Sequence, residues 1–170
     1  MCDKGKRGCT PLLNTLESLN HSVYILHWNT PNIIQTIQRS GIQHWIFSGN
    51  ATYTKDTDMT RMPMGIFDIL TIKVLGICYS FQSALVQLGY PLKHKRTRHF
   101  KNVMIPYEKT KILVQLNYTQ YIESPVAGEL SSYKGESMMC KYKNAILMQF
   151  HPENTADGRQ LLKDFLELRS

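Results

Sequence analysis

Cys78 closes an apolar run, Leu75-Gly76-Ile77-Cys78, and Tyr79-Ser80-Phe81-Gln82 opens a stretch with helical spacing. Nearer the C-terminus, Gln149-Phe150-His151-Pro152-Glu153 sets a histidine two residues before a carboxylate. A thiol becomes a strong nucleophile when a base takes its proton, and the base works best when a third group orients it. Cys78, His151 and Glu153 are the groups such chemistry needs. Gly76 and Ser80, small residues two places either side of Cys78, permit the tight strand-to-helix turn that exposes a nucleophile. At a helix N-terminus the dipole favours a thiolate, and the backbone N–H of Tyr79 is placed to meet an oxyanion. Glu153 can hydrogen-bond the far ring nitrogen of His151 and fix its tautomer. Pro152 between them stiffens the turn. A cysteine in that place can also be a small core hydrophobe, and a loop histidine an ordinary surface residue. The two motifs together favour the catalytic reading.

These groups need elements to hold them. Leu12, Leu13, Leu16 and Leu19 recur at helical spacing and predict a helix over residues 11–20. The apolar run Val23-Tyr24-Ile25-Leu26 predicts a buried strand. Pro31 in a first turn, then Ile33, Ile34 and Ile37, predict a helix ended by Gly41. Trp45-Ile46-Phe47 predicts a strand stopped by Ser48-Gly49-Asn50. Residues 51–63 read as a loop and 64–70 as a short helix. A branched run over 72–77 predicts the strand that feeds Cys78, and the helix after it runs over 79–88, ended by Gly89 and Pro91. This alternation argues for an α/β fold: a three-layer sandwich with a mostly parallel central sheet. The second half reads differently, with strands at 103–106, 112–118, 137–141 and 145–150 and a hairpin turn at Tyr142-Lys143-Asn144. Leu161, Leu162, Phe165 and Leu166 predict a final amphipathic helix. His151 thus falls at the C-terminal end of a strand, the edge where open α/β sheets place their sites.

The chain of 170 residues suits one domain spanning 1–170, with no internal repeat or linker to divide it. No apolar stretch is long enough to cross a bilayer. The basic start, Met1 to Gly8, has no apolar signal core behind it. No membrane partner is expected, and a cytoplasmic location is. The four cysteines, Cys2, Cys9, Cys78 and Cys140, form no C-x-x-C pair, so free thiols and no metal site are expected. The formal net charge is +7, part of it in Lys93-His94-Lys95-Arg96-Thr97-Arg98-His99, which reads as a solvated basic loop. With no recognisable module and no interleaved stacking aromatics, nucleic acid is not an expected partner. An acidic protein surface stays open.

Both chemical motifs closely resemble signatures of the class I glutamine amidotransferases, G-x-C-x-G-x-Q and F-H-P-E. Ile46-Phe47-Ser48-Gly49-Asn50 lies where that family carries hydrophobic-Ser-Gly-Gly-Pro, and residues 161–165 resemble its C-terminal helix. The wording LGICY and QFHPE is most similar to the glutaminase domains of GMP synthases. Anthranilate synthase component II and carbamoyl-phosphate synthase share it more loosely. The resemblance implies a flavodoxin-like sandwich and hydrolysis of the glutamine side-chain amide. Cys78 would attack the amide carbon to give a thioester and ammonia. His151 would move the proton, and Glu153 would orient His151. The resemblance also implies an oxyanion hole from the backbone N–H groups of Asn50 and Tyr79, and substrate contacts at Gly49 and Gln82. It implies L-glutamine as substrate, no cofactor, and a separate synthase subunit that takes the ammonia.

The chain departs from the family pattern in four places. Residues 2–11 are polar where the family opens with an apolar strand, so either the sheet lacks its first strand or an irregular segment covers its place. Asn50-Ala51 replaces Gly-Pro; if that peptide needs φ > 0, asparagine is the best non-glycine residue for it. Ser80 replaces the second glycine of the elbow. Gln115-Leu116-Asn117-Tyr118-Thr119 occupies the region of a His-Gly-Asp-type motif that serves glutamine recognition and synthase coupling. These departures leave room for two further readings: a γ-glutamyl hydrolase-like enzyme using the same cysteine and histidine, or a catalytically weak regulatory or binding member. The presence of Cys78, His151 and Glu153 together favours an enzyme.

Overall fold

A computed structural model describes residues 9–28, 30–48 and 62–168. In chain order its elements are α1 (Thr10–Ser18), α2 (Ile33–Arg39), β1 (His44–Phe47), β2 (Lys73–Ile77), α3 (Tyr79–Gln87), β3 (Leu92–Tyr107), β4 (Thr110–Ile122), β5 (Glu129–Tyr133), β6 (Glu136–Tyr142), β7 (Ala145–Met148) and α4 (Ala156–Glu167). Single 3-10 turns lie at Met64–Asp68 and Pro152–Asn154. The central sheet has the order β1-β2-β7-β6-β5. Its β1, β2 and β7 are parallel, and β6 and β5 continue it antiparallel. The predicted parallel arrangement is therefore the half that carries Cys78 and leads to His151, and the sheet as a whole is mixed.

Side-chain alternation along the strands sorts the core into two faces. Leu75, Ile77 and Met148 point to the face packed by Leu12 and Leu16 of α1 and by Leu161, Leu162 and Phe165 of α4. Trp45, Phe47, Val74 and Leu147 point to the other, packed by Ile37 of α2 and by Phe81, Ala84 and Leu85 of α3. This is the three-layer sandwich. Fully burying each such side chain contributes about 1.5–3 kcal/mol, which is what holds helices this short in place. The β3–β4 hairpin forms a separate two-stranded sheet, and its Val103, Ile105, Val114 and Leu116 enter the α1–α4 core.

Several expectations are corrected. Residues 23–26 form no strand: Leu26 is buried, but Val23, Tyr24 and Ile25 are exposed and pair with nothing regular. A short apolar run needs a neighbouring strand as well as composition. No strand precedes His44 among the described residues, and most of the stretch where the family's first strand would lie is outside them. Lys93 to His99 is part of β3 rather than a loop, paired antiparallel with β4 across a register shift between His94 and His99. A two-stranded ribbon leaves one face to solvent, so it tolerates the charges that disguise it in sequence. β5 was not expected, because Glu-Leu-Ser-Ser-Tyr lacks an apolar alternation. Cys9 is disulfide-bonded, against the expectation of free thiols throughout, while Cys78 and Cys140 are free. No helix among the described residues is long and apolar enough to cross a membrane.

Candidate active site

The turn at Cys78 is built by its neighbours. The Cys78 N–H donates to the Met148 carbonyl at 2.7 Å, carrying the parallel pairing one residue past β2. Its backbone then takes φ 52° and ψ −99°. That region costs a non-glycine residue on the order of 1–3 kcal/mol, and only over-determined surroundings sustain it. Gly76 shows how tight they are: a Cβ there would lie 2.7 Å from Leu147 Cδ2. Ser80, where the family has glycine, is buried, and its hydroxyl donates to the Ser48 carbonyl at 3.1 Å. The extra atoms thus tie the start of α3 to the end of β1.

His151 lies just past β7. Its N–H donates to the Gln115 carbonyl at 3.1 Å, an isolated bridge to the hairpin. Pro152 starts the 3-10 turn, which folds Glu153 back so that its Oε1 lies 2.9 Å from His151 Nδ1. The Cys78 sulfur acts on the same ring. Burial alone would lower the ring pKa; hydrogen bonds with Cys78 and Glu153, and the charges of both, outweigh it and push it up to about 10. Glu153 is itself mostly buried, and its Oε2 has no partner among the described residues. The ring therefore lies between two groups, the Cys78 sulfur and the Glu153 carboxyl, that both favour its protonated form.

Two groups beside the sulfur were not singled out from sequence. Gln149 is fully buried; its Nε2 donates toward Cys78 Sγ at 3.8 Å. The Asn117 carbonyl faces the thiol from β4, with Sγ donating to it at 3.9 Å. Gln149 stands in the His-Pro-Glu motif, but nothing local says that its side chain reaches back to the cysteine. Gln82, expected at the substrate, is buried. Its Nε2 donates to Gln149 Oε1 at 3.0 Å and to the Gln120 carbonyl at 2.5 Å, so in this state it braces Gln149. Tyr79, expected to supply an oxyanion N–H, is the first residue of α3. Gly49 and Asn50 lie outside the described residues. Among the described residues no cluster of three or more His, Cys, Asp or Glu could hold a metal ion. A cavity of about 380 Å³ between α1, residues 21–26 and β1 touches none of Cys78, His151 and Glu153.

The sandwich, the strained cysteine turn and the histidine–carboxylate pair define a class, and residues 2–168 match its family model, Glutamine amidotransferase class-I; the chain belongs to that family. Among named relatives it is similar to the GMP synthase [glutamine-hydrolyzing] of Ruminiclostridium cellulolyticum, 30% identical over 137 residues, covering 71% of this chain and 27% of that protein. The enzyme of the same name from Symbiobacterium thermophilum is 26% identical over 161 residues, 85% of this chain and 31% of that one. The chain thus spans under a third of the length of these curated relatives. Among solved structures, a protein of Thermoplasma acidophilum described as one subunit of a GMP synthase superposes with a TM-score of 0.76 at 18% identity, over 97% of this chain and 89% of that one. A glutamine amidotransferase of Thermotoga maritima gives 0.61 at 16%, over 92% and 77%. These two likenesses establish the fold.

Proposed function

We propose that the chain hydrolyses the side-chain amide of glutamine to glutamate and ammonia, and that the ammonia passes to a separate synthase subunit of the GMP synthase type. The observation that carries this reading is the His151 ring, hydrogen-bonded to Glu153 at 2.9 Å, beside the Cys78 sulfur at its strained turn. Cys78 passes its thiol proton to His151 and the sulfur attacks the amide carbon, the developing oxyanion being received by the backbone N–H of Tyr79 and that of Asn50. His151 gives its proton to the nitrogen, the C–N bond breaks and ammonia leaves. Water then attacks the thioester, His151 takes the water's proton, and glutamate departs with the sulfur restored. Glu153 holds the ring in one tautomer and orientation throughout. Gly49 is assigned to the substrate, and Gln82 acts on it through Gln149. The names of the relatives support the choice of acceptor.

Mass spectrometry after treatment with diazo-oxo-norleucine, an electrophile that occupies glutamine sites, tests the reading. Labelling confined to Cys78, with ammonia release from glutamine lost in Cys78→Ser, is the expected result. Labelling that spares Cys78 refutes the reading. Turnover of γ-glutamyl peptides but not of glutamine would move the chain to the γ-glutamyl hydrolases.

A further inference from the structure

Glu136, at the start of β6, is a charged residue only 5% exposed. A buried carboxylate is costly unless its oxygens find partners. Both do: Lys95 Nζ of β3 lies 2.5 Å from Oε1, and the Tyr118 hydroxyl of β4 donates to Oε2 at 2.8 Å. Burial first, and then the carboxylate itself, hold the Tyr118 phenol well above its usual pKa, so it stays a donor. Lys95 Nζ also stands 4.5 Å from the centroid of the Tyr121 ring, and the Tyr118 ring packs on His99 at 5.5 Å. One network therefore joins β3, β4 and β6 at the place where the hairpin's pairing shifts register.

The position of this network matters because the hairpin is not part of the main sheet. Among the described residues, isolated bridges link the two at Gln115–His151 and Glu123–Glu136. The stretch between them, with Asn117 and Tyr118, is held to the main sheet by side chains. The Asn117 carbonyl, which faces Cys78 Sγ at 3.9 Å, is one residue from the anchored Tyr118. We propose that Lys95, Glu136 and Tyr118 are positioning residues that fix the Asn117–Tyr118 segment as the pocket wall opposite Cys78, and so set how a γ-carboxamide is presented to the sulfur. The pinning of the wall stands on geometry alone; its consequence for substrate rests on the glutaminase reading.

The full chain and three variants test this. Tyr118→Phe removes one hydrogen bond with little change of shape. Lys95→Met combined with Glu136→Leu replaces the ion pair by apolar side chains, an exchange that usually leaves stability intact. Glu136→Gln keeps an acceptor and serves as the conservative variant. Hydrogen exchange at the amides of residues 116–119 is expected to quicken by about tenfold in the first two, without global unfolding. Labelling of Cys78 by diazo-oxo-norleucine is expected to slow by about tenfold to a hundredfold, as displacement of a reacting group does. Alkylation by the unspecific iodoacetamide should change far less, and Glu136→Gln should recover part of the specific rate. Folded variants with wild-type exchange at 116–119 overturn the pinning, and faster exchange with an unchanged ratio of the two labelling rates overturns its role in presentation. Wild-type protein that takes iodoacetamide at Cys78 but resists diazo-oxo-norleucine refutes the glutaminase reading and with it the presentation role, while exchange still decides whether the wall is pinned.

Discussion

Helix α4 begins directly behind the histidine–glutamate turn, and Gly158 is where the two touch. Its N–H donates to the hydroxyl of Thr155, the residue that caps the helix, at 3.1 Å. A Cβ on Gly158 would lie 2.3 Å from the Pro152 carbonyl oxygen, 2.7 Å from its Cα and 2.8 Å from its carbonyl carbon. All three are backbone atoms, so no side-chain rotation relieves the clash. Ordinary contact begins at 3.4 Å. Gly158→Ala must therefore separate α4 from the turn by about 1 Å, a misplacement that can cost on the order of 10²-fold in rate when it reaches catalytic groups. On the proposed mechanism it reaches them here, because His151 and Glu153, the proposed base and its orienting carboxylate, flank Pro152. Two effects on stability oppose each other. Alanine in a helix gains about 0.5–1 kcal/mol over glycine, and overpacking costs about 1–3 kcal/mol. The difference, a net loss of up to about 2.5 kcal/mol, lowers Tm by at most roughly 5–10 °C in a domain of this size. Ammonia release from glutamine, measured well below Tm, should fall about a hundredfold in kcat/KM. Gly65→Ala is the control, since its Cβ would meet nothing closer than Ile34 Cδ1 at 3.8 Å. A Gly158→Ala protein with raised Tm and full activity would show that α4 yields freely and does not hold the catalytic turn.

The raised pKa of His151 sets a pH dependence. A group whose folded pKa, about 10, exceeds its ordinary 6.5 contributes stability that is complete below about pH 6.5 and is lost as pH rises through 10. Tm of the wild type should therefore fall relative to that of His151→Ala between these limits; parallel curves would refute the charged pairing. Ser80→Ala removes the hydrogen bond to Ser48 and should lower stability by about 1 kcal/mol, read by denaturant unfolding; no loss would mean that the tie between α3 and β1 is idle. Burial, with the charge of Glu129 added, pushes the Cys140 thiol up to about 12. Peptide mapping after brief iodoacetamide treatment at neutral pH should find Cys78 modified and Cys140 not.

The parts of this protein differ in how plainly they can be read from sequence, and the difference is physical. Leu75 to Gln82 was legible because a strand-to-helix turn around a nucleophile constrains consecutive residues: Gly76 by the approach of Leu147, Cys78 by its own backbone. His151 and Glu153 were legible for the same reason, two residues apart on one turn. Residues 23–26 misled because an apolar run reports hydrophobicity and leaves open whether a neighbouring strand exists. The pocket wall was illegible. Lys95, Tyr118 and Glu136 belong to three strands and obey no common period, and the reach of Gln149 back to Cys78 spans the β2–β7 pairing. The proposed reacting groups thus sit on the parallel half of the sheet, where local pattern and tertiary place coincide. The wall proposed to face the substrate is built by the antiparallel hairpin, where they do not. That division explains why short motifs point to a class of reaction while they leave the choice of substrate open: β4, the strand that supplies Asn117, is tied to β6 through Glu136, Lys95 and Tyr118, which no sequence window brings together.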